Sequence, residues 1–159
     1  MIMFFLIDSR EKPRAITKII DAFQQNGIDY DVCKLYVGDY MRYDNPRLVV
    51  DRKQSLEELA ANCTTDKERF KRELERAKRA GAHVVVLVEQ AGYSINGEKK
   101  NVREIADLIG WQSYHSAATG ERVFRVLNAW IQKYPMNVQF VNRRDTGRKI
   151  IEILGEKTK

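Results

Sequence analysis

Two short runs without an internal polar residue, Ile2 to Ile7 and Val84 to Val88, constrain this chain more than anything else in it. Strands that read as unbroken apolar runs are covered on both faces, which happens chiefly in α/β sheets sandwiched between helices. Each run hands over to acids: Asp8 and Glu11 follow the first, Glu89 the second. Sites in α/β proteins collect at the carboxyl ends of strands, which makes these acids candidates. Glu89 also fits a plain strand terminus.

Helical patterns fill the intervals. Pro13 suits a first helical turn, Ile16, Ile19, Ile20 and Phe23 follow at helical spacing, and Asn26-Gly27 ends the segment. Asp31 to Val37 reads as a strand broken by Gly38. Met41 to Tyr43 continues extended, Asp44-Asn45-Pro46 makes a turn, and Leu48 to Val50 returns antiparallel. Ser55 with Glu58 is a capping-box pattern, opening a short helix with Leu56 and Leu59. Thr65 with Glu68 repeats it before a charged helix to about Ala80, striped by Phe70, Leu74 and Ala77. Ala91 to Lys100 is a polar loop with an Asn96-Gly97 turn. Asn101 and Glu104 cap a helix carrying Val102, Ile105, Leu108 and Ile109, and a longer helix from about Thr119 carries Val123, Leu127, Trp130 and Ile131. Val138 to Val141 is a further strand, and Asp145 caps a last helix with Ile150, Ile151 and Leu154. The order gives one α/β domain over 1–159 with a central mixed sheet, undivided by any linker or repeat.

The hairpin carries chemistry. It brings Asp39 toward Asp51, and Lys53, two residues beyond Asp51, points to the same strand face. Two carboxylates and an ammonium on one face are costly unless something binds there. A divalent cation held by oxygen ligands is the natural occupant, leaving Lys53 to orient a water or meet a phosphate. A solvated, charged strand end is the alternative.

Composition narrows the partners. A net charge of +6 favours a polyanion. No apolar run approaches the ~18 residues of a membrane span. Cys33 and Cys63 lack metal-type spacing and a histidine pair, so they read as the reduced thiols of a cytosolic protein, Cys33 as the buried one. The charges from Lys67 to Arg79 are a solvated face or a phosphate-touching one. His83 and His115 read as surface residues. Trp111 and Tyr114 fit stacking on an unpaired base, or a place in the core or a dimer interface.

Taken together, Asp8-Ser9-Arg10-Glu11, Val37-Gly38-Asp39-Tyr40 and Val50-Asp51-Arg52-Lys53 with Glu57 following resemble the nuclease domain of the XPF family. That family includes eukaryotic flap and junction endonucleases and the archaeal Hef nuclease. Its signature runs Gly-Asp, a spacer, Glu-Arg-Lys, three residues, Asp. Asp51 stands where the family usually has Glu, and Glu57 where it has Asp; both keep a carboxylate. The Arg69-Phe70 helix, the Val84 to Glu89 strand and the segment Val138 to Leu154 extend the likeness over nearly the whole chain. The paired helix-hairpin-helix module and the helicase domain of other members are absent from this sequence. Nuclease-only versions of this kind resemble proteins of bacteria and their phages, which implies a cytoplasmic setting.

The resemblance implies a restriction-endonuclease-like core and a DNA endonuclease that cuts branched, flapped or junction DNA with Mg²⁺ or Mn²⁺. Asp39, Asp51 and the carbonyl of Arg52 are then expected to hold the metal, with Asp8 supporting them directly or from behind. Lys53 is expected to position the attacking water, and Arg10 and Arg52 to neutralise charge on the phosphate in the transition state. Glu11 and Glu57 join this set, or merely orient Arg10, Arg52 or Lys53 through ion pairs. A catalytically silent nucleic-acid-binding subunit is the alternative, and an RNA-directed module a third reading without an aromatic RNA-binding signature. Family nuclease domains pair through the helices after the core strands. The apolar residues from Val102 to Ile131, including Trp111 and Trp130, exceed what one domain is expected to bury, so a homodimer is expected.

Overall fold

The computed structural model describes residues 3–155. A six-stranded sheet forms the centre. Its strands are β1 (Phe4–Asp8), β2 (Asp29–Cys33), β3 (Tyr40–Arg42), β4 (Asn45–Lys53), β5 (His83–Val88) and, after a separate hairpin of β6 (Gly92–Ile95) and β7 (Glu98–Asn101), β8 (Met136–Phe140). Across the sheet they run β2-β1-β3-β4-β5-β8. Only β3 opposes its neighbours; β1 with β2, and β4 with β5 and β8, are parallel. The expected α/β architecture with a central mixed sheet is therefore present, and the carboxyl ends of β1, β4, β5 and β8 gather at one end.

Five helices cover it: α1 (Thr17–Gln25), α2 (Leu56–Cys63), α3 (Lys67–Ala80), α4 (Gly120–Lys133) and α5 (Thr146–Gly155). One face buries Val49, Val84, Val86 and Val88 under Leu59, Phe70, Leu74, Leu127 and Trp130 of α2, α3 and α4. The other buries Phe5, Ile7, Val50, Val85 and Leu87 under Ile19, Phe23 and Ile150 of α1 and α5. Gly147 lets α1 and α5 touch, since a Cβ there would stand 2.6 Å from that of Ala22. β5 is buried on both sides, as its apolar run implies. The first run is not. Phe5 and Ile7 are buried but Phe4 and Leu6 only partly, because α2 to α4 lie over the β4, β5 and β8 half of the sheet; Ile2 lies outside the described residues.

Several local expectations change. The strand expected over Asp31 to Val37 begins at Asp29, ends at Cys33, and pairs with β1 rather than entering the hairpin. The β3–β4 hairpin itself forms, with a register shift at its tip. Ser55 caps α2 by accepting the Glu58 amide, a contact worth about 1 kcal/mol. Thr65 does not cap α3; Asp66 stands at that position without a side-chain cap hydrogen bond. Ala91 to Lys100 is no loop but the β6–β7 hairpin, turning on the left-handed pair Asn96-Gly97. The helix expected after Asn101 shrinks to a 3-10 turn, Ile105–Leu108, boxed by Glu104 and Asp107. Cys63, not Cys33, is the buried thiol.

The apolar surplus expected to pair two copies is taken up inside the chain. Leu108, Trp111, Val123, Leu127 and Trp130 are core residues, with Ile105 and Ile131 packed against them, while Ile109 stays 50% exposed. No helix among the described residues is long and apolar enough to cross a membrane.

Candidate active site

Gly38 sets the site up. Its φ of 79° is a left-handed turn that a side chain would resist, and a Cβ there would stand 2.8 Å from that of Val49. The turn delivers Asp39 between the ends of β1 and β4, where its amide donates to the Val50 carbonyl (2.7 Å) and its carbonyl accepts from the Asp8 amide (2.8 Å). Tyr40 pairs with Val50 and Met41 with Val49. Extending that register by one residue sets Asp39 opposite Asp51, as the sequence suggested. The carboxylate of Asp39 accepts the amide of Arg52 at 2.8 Å. A strand residue's N–H and C=O face the same neighbour, so the Arg52 carbonyl is on the Asp39 side as well.

Asp51 and Lys53 share the face covered by α2 and α3. Lys53 Nζ is 2.9 Å from Asp51 Oδ2 but off the hydrogen-bonding direction, so the buried Oδ2 has charge pairing and no hydrogen-bond partner. Lys53 also lies 4.8 Å from the centre of the Phe70 ring, which roofs it. Burial pulls its pKa down, but Asp51 more than offsets this and keeps the ammonium charged. Asp39 goes the other way. Burial, then the charges of Asp51 and Glu11, push its carboxyl well above the usual carboxylate range despite the Arg52 amide.

Asp39, Asp51 and Lys53 line a cavity of about 320 Å³ together with Arg10, the α3 cap residue Asp66 and three side chains of α3, Arg69, Glu73 and Arg76. Glu58 of α2 lines it too. Burial and then Asp51 raise the pKa of Glu73. The sequence reading missed Glu58, Asp66 and Glu73. The available signal was helical spacing, because Asp66 and Glu73 flank Phe70 on the stripe that faces the sheet. The charges of α3 are thus divided: Arg69 and Arg76 reach the cavity, while Arg72, Lys78 and Arg79 face solvent.

Of the other expected site residues, Glu11 and Arg52 also border this cavity, whereas Asp8 and Glu57 do not line it. Asp8 is fully buried, and its carboxylate is committed to Arg10 Nε (2.7 Å) and the Leu35 amide (2.9 Å). Burial opposes its charge, but those bonds win and leave its pKa lowered. It thus steadies Arg10 and the strand end beside Asp39 from behind. Arg52 turns to the opposite face of the sheet. There its guanidinium binds Glu11 (Nε to Oε2, 2.7 Å) and Glu89, while Tyr40 donates to Glu11 (2.7 Å) and Thr146 to Glu89 (2.6 Å). Burial works against the Arg52 charge, but Glu11 and Glu89 raise its pKa further. Glu11 therefore takes the orienting role, Glu89 is no plain terminus, and the Arg52 side chain is unavailable to a phosphate in the cavity. Glu57 leaves altogether, accepting from Ser113 Oγ (2.6 Å) and the Tyr114 amide (3.0 Å) beside a different cavity.

Among the described residues, no three of His, Cys, Asp and Glu form a ready metal cage. Asp39 and Asp51 nonetheless fit one hard cation. Mg²⁺ is typically bound by one or two carboxylates, with waters and substrate phosphates completing its shell. A buried Asp51 oxygen whose neighbour is the Lys53 ammonium, beside an Asp39 carboxyl whose charge is disfavoured by burial and by Asp51, is a donor set that such an ion relieves.

A comparison with curated proteins finds no match. Among solved structures, XPF from Aeropyrum pernix superposes with a TM-score of 0.65 at 16% identity, covering 95% of this chain and 63% of that one. XPF from the same organism in complex with DNA gives 0.64 at 17% identity, over 96% and 64%. At such identities the likeness is one of fold, and this chain spans a little under two thirds of the length of those it matches. A sequence model of the ERCC4 domain matches residues 7–151, in keeping with the XPF-type resemblance of the Asp39 and Asp51-Arg52-Lys53 motifs, and the chain belongs to the ERCC4 domain family.

Proposed function

We propose that this chain is a divalent-metal-dependent DNA endonuclease acting on branched, flapped or junction DNA. One observation carries the reading: Asp39 and Asp51 lie opposite each other in one cavity beside a charged Lys53, whose ammonium is 2.9 Å from the buried Asp51 Oδ2. Asp39, Asp51 and the Arg52 carbonyl would hold the cation. When bound, Mg²⁺ or Mn²⁺ supplies a Lewis acid and a water of lowered pKa. Lys53, locked between Asp51 and the Phe70 ring, holds its proton and offers a donor to the attacking water or a phosphate oxygen. Arg10, 62% exposed at its side chain and steadied by Asp8, meets the phosphate from the rim, with Arg69 and Arg76 along α3. The DNA-bound state of the Aeropyrum structure and the positive charge of this chain support a DNA substrate. Most apolar residues between Val102 and Ile131 serve the chain's own core, so a homodimer would have to pair on what stays exposed, such as Ile109, and light scattering of the full chain tests for it.

Incubation with Mg²⁺ or Mn²⁺ and a panel of single-strand, duplex, flap and four-way-junction DNA tests the proposal. Metal-dependent cutting of a branched substrate, abolished in Asp51→Asn with DNA binding retained, is the expected result. Cutting that survives in both Asp51→Asn and Asp39→Asn would sink the site. Binding without any cutting would leave a nucleic-acid-binding subunit.

A further inference from the structure

We infer that the carboxyl end of the sheet carries a second nucleic-acid surface, a track for an unpaired DNA strand that ends on Tyr114. It rests on the DNA-directed reading above and names where a single-stranded arm would lie. Three further cavities, of about 420, 410 and 560 Å³, succeed one another along this end of the molecule. They are continuous: the first two share Glu89 and Arg143, and the second and third share Gln90, Tyr93 and Ser94. The first also shares Arg52 with the catalytic cavity. The track therefore starts behind the buried Arg52 network and leads away from it.

Its chemistry changes along its length. Arg14, Lys18 and Arg143 line the first cavity, and Arg143, Lys99 and Lys100 the second. All five cations are exposed, and none forms an ion pair among the described residues. The third cavity is walled by Tyr93, Trp111 and Tyr114. Trp111 is a core residue, whereas Tyr114 is 94% exposed. A ring so exposed would ordinarily sit on a loose loop. This one is pinned: Glu57 accepts the Tyr114 amide and the Ser113 hydroxyl, and Ser113 Oγ in turn accepts the amides of His115 and Ser116 at 3.0 Å each. Glu57, which stands at a family-signature acid, is thus a positioning residue for an aromatic platform.

A line of cations without ion-pair partners among the described residues, ending at an exposed ring on a pinned backbone, matches how single strands are held, by backbone charge pairing and base stacking. A duplex fits less well, because its bases are already stacked on each other. A branched substrate has an unpaired arm beside the bond to be cut, and this track would take it.

The test is fluorescence anisotropy of the full chain in EDTA, with an oligothymidine of about 15 nucleotides and a blunt duplex of similar length. Tyr114→Ala should weaken oligothymidine binding roughly tenfold, leave the duplex unchanged, and be rescued by Tyr114→Phe. The double change Lys99→Ala with Lys100→Ala should lower the salt slope for oligothymidine by about 1.4. Tyr114→Ala affinity equal to wild type, or an equal loss on both DNAs, overturns the track. A chain that cuts branched DNA while these changes leave oligothymidine binding untouched overturns the track and spares the nuclease reading. A chain that binds oligothymidine through Tyr114 but never cuts does the reverse.

Discussion

Asp51 and Arg52 are neighbours in the chain, yet their side chains belong to different clusters on opposite faces of the sheet. Strand alternation sends Asp51 to the cavity under α2 and α3, and Arg52 to Glu11 and Glu89 beneath α1 and α5. The two residues should therefore fail differently. Asp51→Asn should lose cleavage and keep its fold. Arg52→Ala leaves Glu89 buried and Glu11 half-buried without a cation, held only by Thr146 and Tyr40, and losing one partner of a buried charge network costs up to about 3–5 kcal/mol. Urea unfolding should show this loss, and Arg52→Lys should restore little, since an ammonium cannot serve both acids in a fork. An Arg52→Ala chain of wild-type stability would mean that the network is solvated.

The strain on Asp39 makes a prediction with a sign. Its folded-state pKa lies well above the unfolded one, so the folded chain holds this proton more tightly. Ionisation of Asp39 then subtracts stability, beginning as pH rises through the unfolded value near 3.9 and reaching its full cost above the folded pKa. In EDTA, Asp39→Asn should melt higher than wild type at about pH 7, by roughly 2–4 °C for each kcal/mol relieved, and equal it near pH 3. Adding Mg²⁺ should raise the wild-type melting temperature and leave the variant's unmoved. A variant that melts lower at neutral pH would show that Asp39 is well satisfied without a cation.

Much of this was legible because it depends on period and register. The buried β5 run, the cap at Ser55, the helix start near Thr119 and the meeting of Asp39 with Asp51 follow from spacing alone. Alternation could also have separated Arg52 from its neighbours, but charge suggested a shared role. The β1–β2 pairing was hidden because a break after Cys33 looks no different from a continuing strand. Glu57 carried the right residue type at the right spacing for the motif, yet which side of α2 it leaves depends on a loop 56 residues away. Asp66 and Glu73 could have been read from their spacing around Phe70, whereas Glu58 enters the cavity through packing of α2 that its capping pattern does not encode.

The two thiols should separate cleanly. Cys63 is fully buried, and burial pushes its pKa up to about 12, while Cys33 ends the edge strand β2 and is partly exposed. The thiolate is the reactive form, so maleimide at neutral pH should label one cysteine in the folded chain. Peptide mapping should place it at Cys33, with Cys63 labelled only after denaturation. Rapid modification of both without denaturant would mean that the α2 end opens readily.

The last prediction concerns Glu57, which the family signature would place in the chemistry. Its carboxylate holds Ser113 Oγ and the Tyr114 amide, and it does not line the cavity of Asp39, Asp51 and Lys53. Glu57→Ala should therefore loosen the segment from Ser113 to Ser116 and spare the reacting groups. Hydrogen bonds to a charged acceptor contribute about 1.5–3 kcal/mol each, with partly exposed ones at the lower end, so the amides of Tyr114, His115 and Ser116 should exchange clearly faster. Glu57→Gln keeps an acceptor and should lose less. Single-turnover cleavage at saturating protein removes binding from the comparison. Under those conditions the Glu57→Ala rate should stay within a few-fold of wild type, against the near-total loss expected for Asp51→Asn. A single-turnover collapse with unchanged exchange at Tyr114 would return Glu57 to the catalytic set, and would require α2 to rotate its side chain into the cavity when DNA binds.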